Sequence, residues 1–258
     1  MDALLFDYLL RLGDTDLVLA QRLGEWVGKG PVLEEDIALT NVGLDLLGQA
    51  RLWLGYAGEV EARFAGTGRS EDELAYLRDG GAYRNVLLAE QPNGDYAATT
   101  ARQFYFDQAH ALLLRELARS RDERVAAIAA KAQKEVAYHV DRSADWVVRL
   151  GDGTEESHAR MQRALDDLWT YTGELFAGDA VDAKLAEAGI APDPSTLRDE
   201  WRANVRAVIA EATLTFPTAE WMQGGRGRGG KQGVHTEHLG HLLAEMQFLQ
   251  RAYPGAQW

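Results

Sequence analysis

Long segments with an apolar residue at every third or fourth position are the feature that most limits how this chain can fold. Side chains three and four positions apart share one face of an α-helix, so such segments predict long amphipathic helices. Only six prolines occur among the 258 residues, which leaves these segments largely uninterrupted. The sequence therefore predicts an all-α protein, in which four long antiparallel helices form a bundle and further helices pack on it.

Turn residues divide the chain into helices of very different length. The predicted helices run over about 4–27, 34–63, 96–119, 123–150, 155–176, 181–188, 197–215 and 237–252. Residues 1–258 are expected to form a single domain, with the core bundle at about 4–176 and a C-terminal helical extension at about 179–258. The first predicted apolar stripe ends at Val27, and the stripe of the fourth long helix includes Arg142 and Trp146.

Charge and composition exclude several classes of protein. The net charge is −13, and such an acidic chain repels a phosphate backbone, which argues against nucleic acid as a partner. The absence of cysteine excludes disulfides and thiolate metal sites, and fits the cytoplasm. The N-terminus lacks the basic region of a signal peptide, and no apolar run approaches the roughly 20 residues that span a bilayer, so no membrane association is expected.

Polar residues interrupt the apolar stripes at positions that match a metal-binding bundle. A carboxylate-bridged di-iron bundle places a Glu on each of two helices and Glu-x-x-His on each of the other two. The positions that correspond to these ligands, in chain order, are Asp16, Leu46, Gln49, Asp107, Val136 and His139. About 30 residues separate the first carboxylate from the following Glu-x-x-His position in each half, as in two hairpins of one design.

The spacing is kept, but most of the ligands are replaced. Leu46 and Val136 stand where the two bridging glutamates would be, and Gln49 stands where one histidine would be. A buried pair of iron ions needs several anionic oxygens to offset its charge, and hydrocarbon side chains supply none. The sequence therefore predicts a vestigial site, with no di-iron centre and no cofactor in this chain.

Two interpretations of the remaining polar residues stay open. Asp107 and His139 could pair with each other, with Arg142 or Arg102, or with Gln49, and so form a hydrogen-bonded polar core. Alternatively, Asp107, His139 and Asp16 could hold a single metal ion.

Two further clusters are weaker candidates. His235, Glu237, His238, His241 and Glu245 recur at helical spacing, and His241 with Glu245 could bind zinc, although such clusters are usually solvated faces. Residues 224–231 form a glycine-rich basic segment whose Arg226, Arg228 and Lys231 could contact a CoA phosphate or a partner. A plain flexible loop is the default interpretation of that segment.

Several longer stretches together resemble one family. They are Gln21-Arg22-Leu23-Gly24-Glu25-Trp26, Asn41 to Arg51, Glu90-Gln91-Pro92-Asn93-Gly94, Lys134-Glu135 with Tyr138-His139, His235 to Gly240, Glu245-Met246-Gln247 and Pro254 to Trp258. The chain resembles the PaaC-type structural subunits (C subunits) of bacterial ring-1,2-phenylacetyl-CoA epoxidase, also called phenylacetate-CoA oxygenase. The match runs along nearly the whole chain.

This resemblance implies a ferritin-like fold and a place in phenylacetate catabolism. It implies partnership with a catalytic A subunit, which carries the di-iron centre, and with other components of the complex, including a reductase. In this family the C subunit is considered structural, so the resemblance assigns no catalytic residue here. The alternative function is a ferritin-like oxygenase or iron protein acting on its own, and a homodimer is a further alternative for assembly.

Overall fold

The computed structural model of the protein describes residues 1–219 and 229–256. Regular secondary structure in these residues is entirely helical, which confirms the all-α prediction. The α-helices, in chain order, are α1 (Asp2–Gly24), α2 (Leu33–Ala65), α3 (Glu71–Tyr76), α4 (Leu87–Glu90), α5 (Tyr96–Leu117), α6 (Glu123–Gly151), α7 (Glu155–Trp169), α8 (Ala180–Glu187), α9 (Arg198–Glu211), α10 (Glu237–Met246) and α11 (Phe248–Ala252). The long hairpins of a ferritin-like fold are supplied by α1–α2 and α5–α6.

The chain folds into two compact units, and the second is inserted into the sequence of the first. Unit 1 comprises Met1–Gln91 and Arg228–Trp258, and unit 2 comprises Pro92–Gly227. The predicted C-terminal extension is therefore divided, since α8 and α9 belong to unit 2 whereas α10 and α11 belong to unit 1. That residues 1–258 act as a single domain stays a prediction.

In unit 1, α1 and α2 pack along their length through the predicted apolar stripes. The prediction that the stripe of α1 reaches Val27 is wrong, because this residue lies beyond the end of α1 and its side chain is 56% exposed. Gly28 marks the end of the helical region, since its φ of +77° is left-handed. Its N–H donates to the Asp36 carboxylate at 2.9 Å, which ties the turn to the start of α2.

Gln247 helps to hold the C-terminal helices against the rest of unit 1. Gln247 Nε2 donates hydrogen bonds to the carbonyl oxygens of Ala75 and Arg78 and to Tyr83 Oη, each at 3.0 Å. This residue also separates α10 from α11, so the single last helix predicted from the sequence is in fact two.

In unit 2, both helices of the α5–α6 hairpin begin at an aspartate cap. The Asp95 carboxylate accepts a hydrogen bond from the Ala98 N–H at 2.9 Å at the start of α5. The Asp122 carboxylate accepts from the N–H groups of Arg124 and Val125, both at 3.0 Å. These bonds satisfy donors that the first turn of a helix leaves without a helical partner, and so fix where each helix starts.

The buried stripe of α6 differs from the predicted one near its C-terminal end. Ser143 and Val147 are buried, whereas Arg142 and Trp146 are only half-buried. Both half-buried residues contact Tyr96: the Arg142 guanidinium donates to its hydroxyl at 3.1 Å, and the Trp146 ring packs edge-on at 5.1 Å between centroids. Including Arg142 and Trp146 in the core was therefore wrong by one position, or about 100° around the helix.

An aromatic cluster joins α5 to α7 and α9 within unit 2. Trp169 and Trp201 stack with their ring centroids 5.6 Å apart, and Tyr105 lies against both rings. The Trp201 indole N–H donates to the Tyr105 carbonyl at 3.1 Å. The helix predicted to reach Phe176 ends at Trp169, and a 3-10 helix, Thr172–Phe176, follows.

Candidate functional site

The unit 1 half of the predicted ligand pattern lies in the core of the α1–α2 hairpin. Asp16 comes from α1, and Leu46 and Gln49 come from α2; none is more than 2% exposed. Burial raises the pKa of Asp16 well above its usual value, because a buried carboxylate loses its hydration, while hydrogen bonding from the Trp53 side chain acts in the opposite direction. Burial of Asp16 therefore makes its ionised form less favourable than it would be in water.

Leu46 limits what this half can bind. Its side chain is fully buried on the core face of α2, among apolar neighbours on the same stripe such as Leu39 and Val42. A leucine has no lone pair to donate to a metal ion, and Gln49, one turn further, offers a neutral amide oxygen. The pattern positions of unit 1 therefore supply one carboxyl group and one amide.

The unit 2 half lies in the α5–α6 hairpin and is more polar. Asp107 comes from α5, and Val136 and His139 come from α6; all are buried, with Val136 at 0% exposure. Gln103 Nε2, one turn before Asp107 on α5, donates to Asp107 Oδ1 at 2.7 Å. The carboxyl group is therefore held by an amide donor of its own helix.

The pKa values in this cluster show how its charge is balanced. Burial raises the pKa of Asp107 to about 6, and His139, hydrogen bonds from Gln103 and Ser143, and the charge of Arg142 work in the opposite direction. Burial, with a smaller contribution from His139, lowers the pKa of His110 to about 3, so this imidazole is neutral at pH 7. The arrangement is a hydrogen-bonded polar core built within one hairpin.

Of the partners predicted for Asp107, His139 and Arg142 act on it electrostatically. Arg102 is used elsewhere, since its guanidinium donates to Asn93 Oδ1 at 2.7 Å. The contribution of Gln103 was not foreseen, although its position four residues before Asp107 on a helix allows the contact.

A second buried polar cluster, in unit 1, was missed altogether. Glu90 is fully buried, and its Oε2 lies 2.9 Å from His235 Nδ1 and 3.0 Å from Asn85 Nδ2. Its Oε1 accepts the backbone N–H of Thr236 at 2.6 Å, and His235 Nε2 lies 3.1 Å from the Tyr83 carbonyl oxygen. Both ring nitrogens of His235 therefore lie within hydrogen-bonding distance of an oxygen atom.

This cluster gives no sequence signal, because His235 and Glu90 stand 145 residues apart in the chain. The same is true of the buried ion pair between Asp14 of α1 and Arg78, which are 64 residues apart.

The donor set at the six ligand positions does not fit a di-iron pair. It consists of two carboxyl groups, one imidazole, one amide and two hydrocarbon side chains. Within residues 1–219 and 229–256, no three His, Asp or Glu side chains come together in a group that could hold a metal ion. The carboxyl groups of Asp16 and Asp107 also both have raised pKa values.

Comparison with known proteins identifies the family. The sequence profile of the phenylacetic acid catabolic proteins matches residues 1–258. The chain belongs to the phenylacetic acid catabolic protein family. It is 54% identical over 251 residues to the C subunit of 1,2-phenylacetyl-CoA epoxidase from Escherichia coli strain K12, an alignment that covers 97% of this chain and 98% of that protein. The resemblance inferred from the sequence is thereby confirmed.

The glycine-rich segment contains three weaker candidate residues. Arg226 and Arg228 lie outside the described residues. Lys231 is buried in the 3-10 helix Gly230–Gln232 of unit 1. A role for the three residues in CoA or partner contact stays a prediction.

The histidine cluster near the C-terminus does not act as one group. His241 and Glu245 are exposed on α10, whereas His235 faces Glu90. Across the part of this family member that the structure describes, no helix combines the length and apolarity needed to cross a membrane.

Proposed function

We propose that this chain is a non-catalytic structural subunit of a multicomponent phenylacetyl-CoA 1,2-epoxidase in phenylacetate degradation. It supports a catalytic A subunit that carries the di-iron centre, and it works with other components that include a reductase. The supporting comparison is the 54% identity, over nearly the full length of both proteins, to a chain named as the C subunit of that epoxidase. A metabolic role of this kind, in a chain without cysteine, favours a cytoplasmic location.

The observation that carries the non-catalytic part of the proposal is the pair Leu46 and Val136. Both side chains are 0% exposed and both occupy positions where bridging carboxylates would be required. Introducing a carboxylate at either position without a compensating ion would leave a buried charge unpaired, which costs several kcal/mol. Apolar side chains at both positions are compatible with a stable core that holds no metal.

A bundle of this kind acts through its surface rather than through its core. Binding of the folded chain to a partner stabilises both by mass action, so this chain can hold its partner in the working conformation without taking part in the reaction. The buried polar groups at Asp16 and Asp107 then serve the chain's own fold.

The decisive experiment counts metal in each chain and measures epoxidation. The chain is purified alone and co-purified with the other epoxidase components, and iron per chain is measured together with turnover of phenylacetyl-CoA. We expect no stoichiometric iron and no turnover for the chain alone, and turnover of the complex only when the A subunit is present. Two iron ions per chain, or turnover without the A subunit, would instead establish a self-sufficient metalloenzyme.

A variant test separates a structural role from a hidden metal site. We expect His139→Gln to leave the turnover of the assembled complex within about twofold of wild type, because the imidazole serves only the core of this chain. A triple variant rebuilds the ligand pattern with the substitutions Leu46→Glu, Gln49→His and Val136→Glu. Its matched control has glutamine instead of glutamate at positions 46 and 136. Iron(II) should raise the melting temperature of neither the wild type nor the control; an iron-dependent rise in the wild type would contradict the proposal.

A further inference from the structure

Helix α2 carries a second apolar stripe, which faces solvent. Leu33 is 70% exposed, Ile37 is 52% exposed, Leu44 is 59% exposed and Leu47 is 36% exposed. These positions recur every three, four or seven residues and so lie on one face, away from the buried stripe of the same helix. From Leu33 to Leu47 the stripe extends about 21 Å along the helix, or roughly four turns.

This stripe borders a groove between α1 and α2 in unit 1. The groove has a volume of about 240 Å³, and its walls include Leu17 and Val27 on one side and Leu44 and Leu47 on the other. Gly24, the exposed last residue of α1, also lines the groove, and no atom lies within 4 Å of the position that a side chain there would take. A helix laid in such a groove can insert its side chains between two rows of residues, which is how helices pack in protein interiors.

Exposed apolar residues are concentrated in unit 1. Among the described residues, the large apolar side chains exposed to solvent all belong to this unit except Tyr138. A monomeric protein rarely exposes a contiguous apolar patch of this kind, and such patches mark interaction sites.

Acidic side chains flank the stripe. Glu34 follows Leu33 and Asp45 follows Leu44, and both lie on the outer side of the exposed face. Arg51, one turn after Leu47 on the same helix, forms an ion pair with Glu71 at 3.6 Å. A second copy of this chain would bring another acidic flank against this one, whereas a helix with basic flanks would meet opposite charge.

We propose that the exposed stripe of α2 and the adjoining groove dock an amphipathic helix of a different subunit, whose apolar face is flanked by Lys or Arg. The proposal rests on the function proposed above, because it takes the chain to be one subunit of an epoxidase complex. The apolar rows supply the buried centre of the interface, and Glu34 and Asp45 supply its charged edge.

The test replaces two leucines of the stripe with arginine and measures assembly. The double variant Leu44→Arg, Leu47→Arg is mixed with the co-expressed partner subunits of the epoxidase, and affinity is measured by titration calorimetry. We expect binding to weaken about 100-fold or more, since two anchors at the centre of an interface are lost. The matched control is Phe64→Arg, which changes a 49% exposed residue of the same helix on another face and should bind within about threefold of wild type.

Reversing the charge of the two acidic residues beside the stripe gives a second test of docking, with little effect on packing. Glu34→Lys with Asp45→Lys should weaken binding about tenfold at low salt and by less at high salt, because interactions between exposed charges are screened. Urea unfolding of each variant alone checks that its fold is intact.

Two results would overturn the docking proposal. One is a double arginine variant that is folded and binds the partners as tightly as wild type; if wild type itself assembles, the proposed function then stands and only the docking site fails. The other is a wild-type homodimer, seen by mass measurement, that the double variant dissociates, since this would assign the face to a second copy. If wild type binds none of the epoxidase subunits, the proposed function itself fails.

Discussion

Replacing Asp107 with asparagine tests whether the polar core of unit 2 carries an electrostatic cost. Asn keeps the size of the side chain and one acceptor oxygen, replaces the other oxygen with an NH2 donor, and cannot ionise. In the wild type, burial raises the pKa of Asp107 from 3.8 to about 6, so at pH 7 the folded protein holds a buried carboxylate against a net penalty. The variant should be free of that penalty.

The magnitude follows from the pKa. Each pH unit by which a folded-state pKa exceeds the unfolded one is worth about 1.4 kcal/mol, so the ionised Asp107 costs the folded state about 3 kcal/mol at pH 7. Between pH 3.8 and about 6 the folded protein binds more protons at this site than the unfolded chain does. The contribution of Asp107 to stability is therefore fully present below pH 3.8 and is lost as the pH rises through about 6.

The measurement is the free energy of unfolding by urea for wild type and Asp107→Asn at pH values from 4 to 7. We expect the difference between the two proteins to shift in favour of the variant by about 2 to 3 kcal/mol across this range. Taking the difference removes the pH dependence common to both proteins. Asp141→Asn, which removes an exposed carboxylate from α6, controls for the change in net charge.

A difference that stays flat with pH would refute the reasoning. It would mean that His139, Gln103, Ser143 and Arg142 compensate the ionised carboxyl fully, so that burial does not decide its protonation. A shift in favour of wild type as the pH rises would mean that the carboxylate is stabilised by more than these contacts supply.

Two further predictions concern unit 1. Gly58→Ala should destabilise the protein by about 1 to 3 kcal/mol, because the added Cβ would lie 1.9 Å from the Arg69 carbonyl oxygen. The control Gly55→Ala, on the same helix, meets nothing within 4 Å and should stabilise the protein by up to about 1 kcal/mol. Equal effects of the two substitutions in urea unfolding would contradict the packing described. His235→Phe should cost about 1.5 to 3 kcal/mol in the same assay, because it removes a hydrogen-bond partner of the buried Glu90 carboxyl group, and a loss below 1 kcal/mol would show that Glu90 does not depend on that imidazole.

Periodicity was sufficient for the parts of the fold that depend on one helix at a time. The face of α2 that carries Leu46 and Gln49 is buried, and the side chains of Asp95 and Asp122 cap the first turns of α5 and α6. The errors in the predicted fold occurred at positions whose burial depends on contacts with another helix. Arg142 was placed in the core by spacing alone, but the buried face of α6 passes through Ser143 instead, and the Arg142 guanidinium donates to the Tyr96 hydroxyl.

In the candidate site, too, the local features could be predicted from the sequence and the long-range contacts could not. Spacing along the chain located the positions of Leu46, Val136 and the buried polar residues around them, because each lies on a regular helical stripe. The Gln103 contact to Asp107 was local and could have been found from the i, i+4 relation. The Glu90–His235 cluster could not, since no local pattern records a contact between residues so far apart in sequence.

The insertion of residues 92–227 into unit 1 fixes the order in which the chain can fold as it leaves the ribosome. Unit 2 is complete once residue 227 has emerged, but unit 1 still lacks α10 and α11, which are synthesised last. Until then Glu90 has no His235 beside it, and the carbonyl groups of Ala75 and Arg78 have no Gln247. Unit 1 of the nascent chain therefore stays incomplete during most of the synthesis. For the same reason, a truncation within the last thirty or so residues removes part of unit 1.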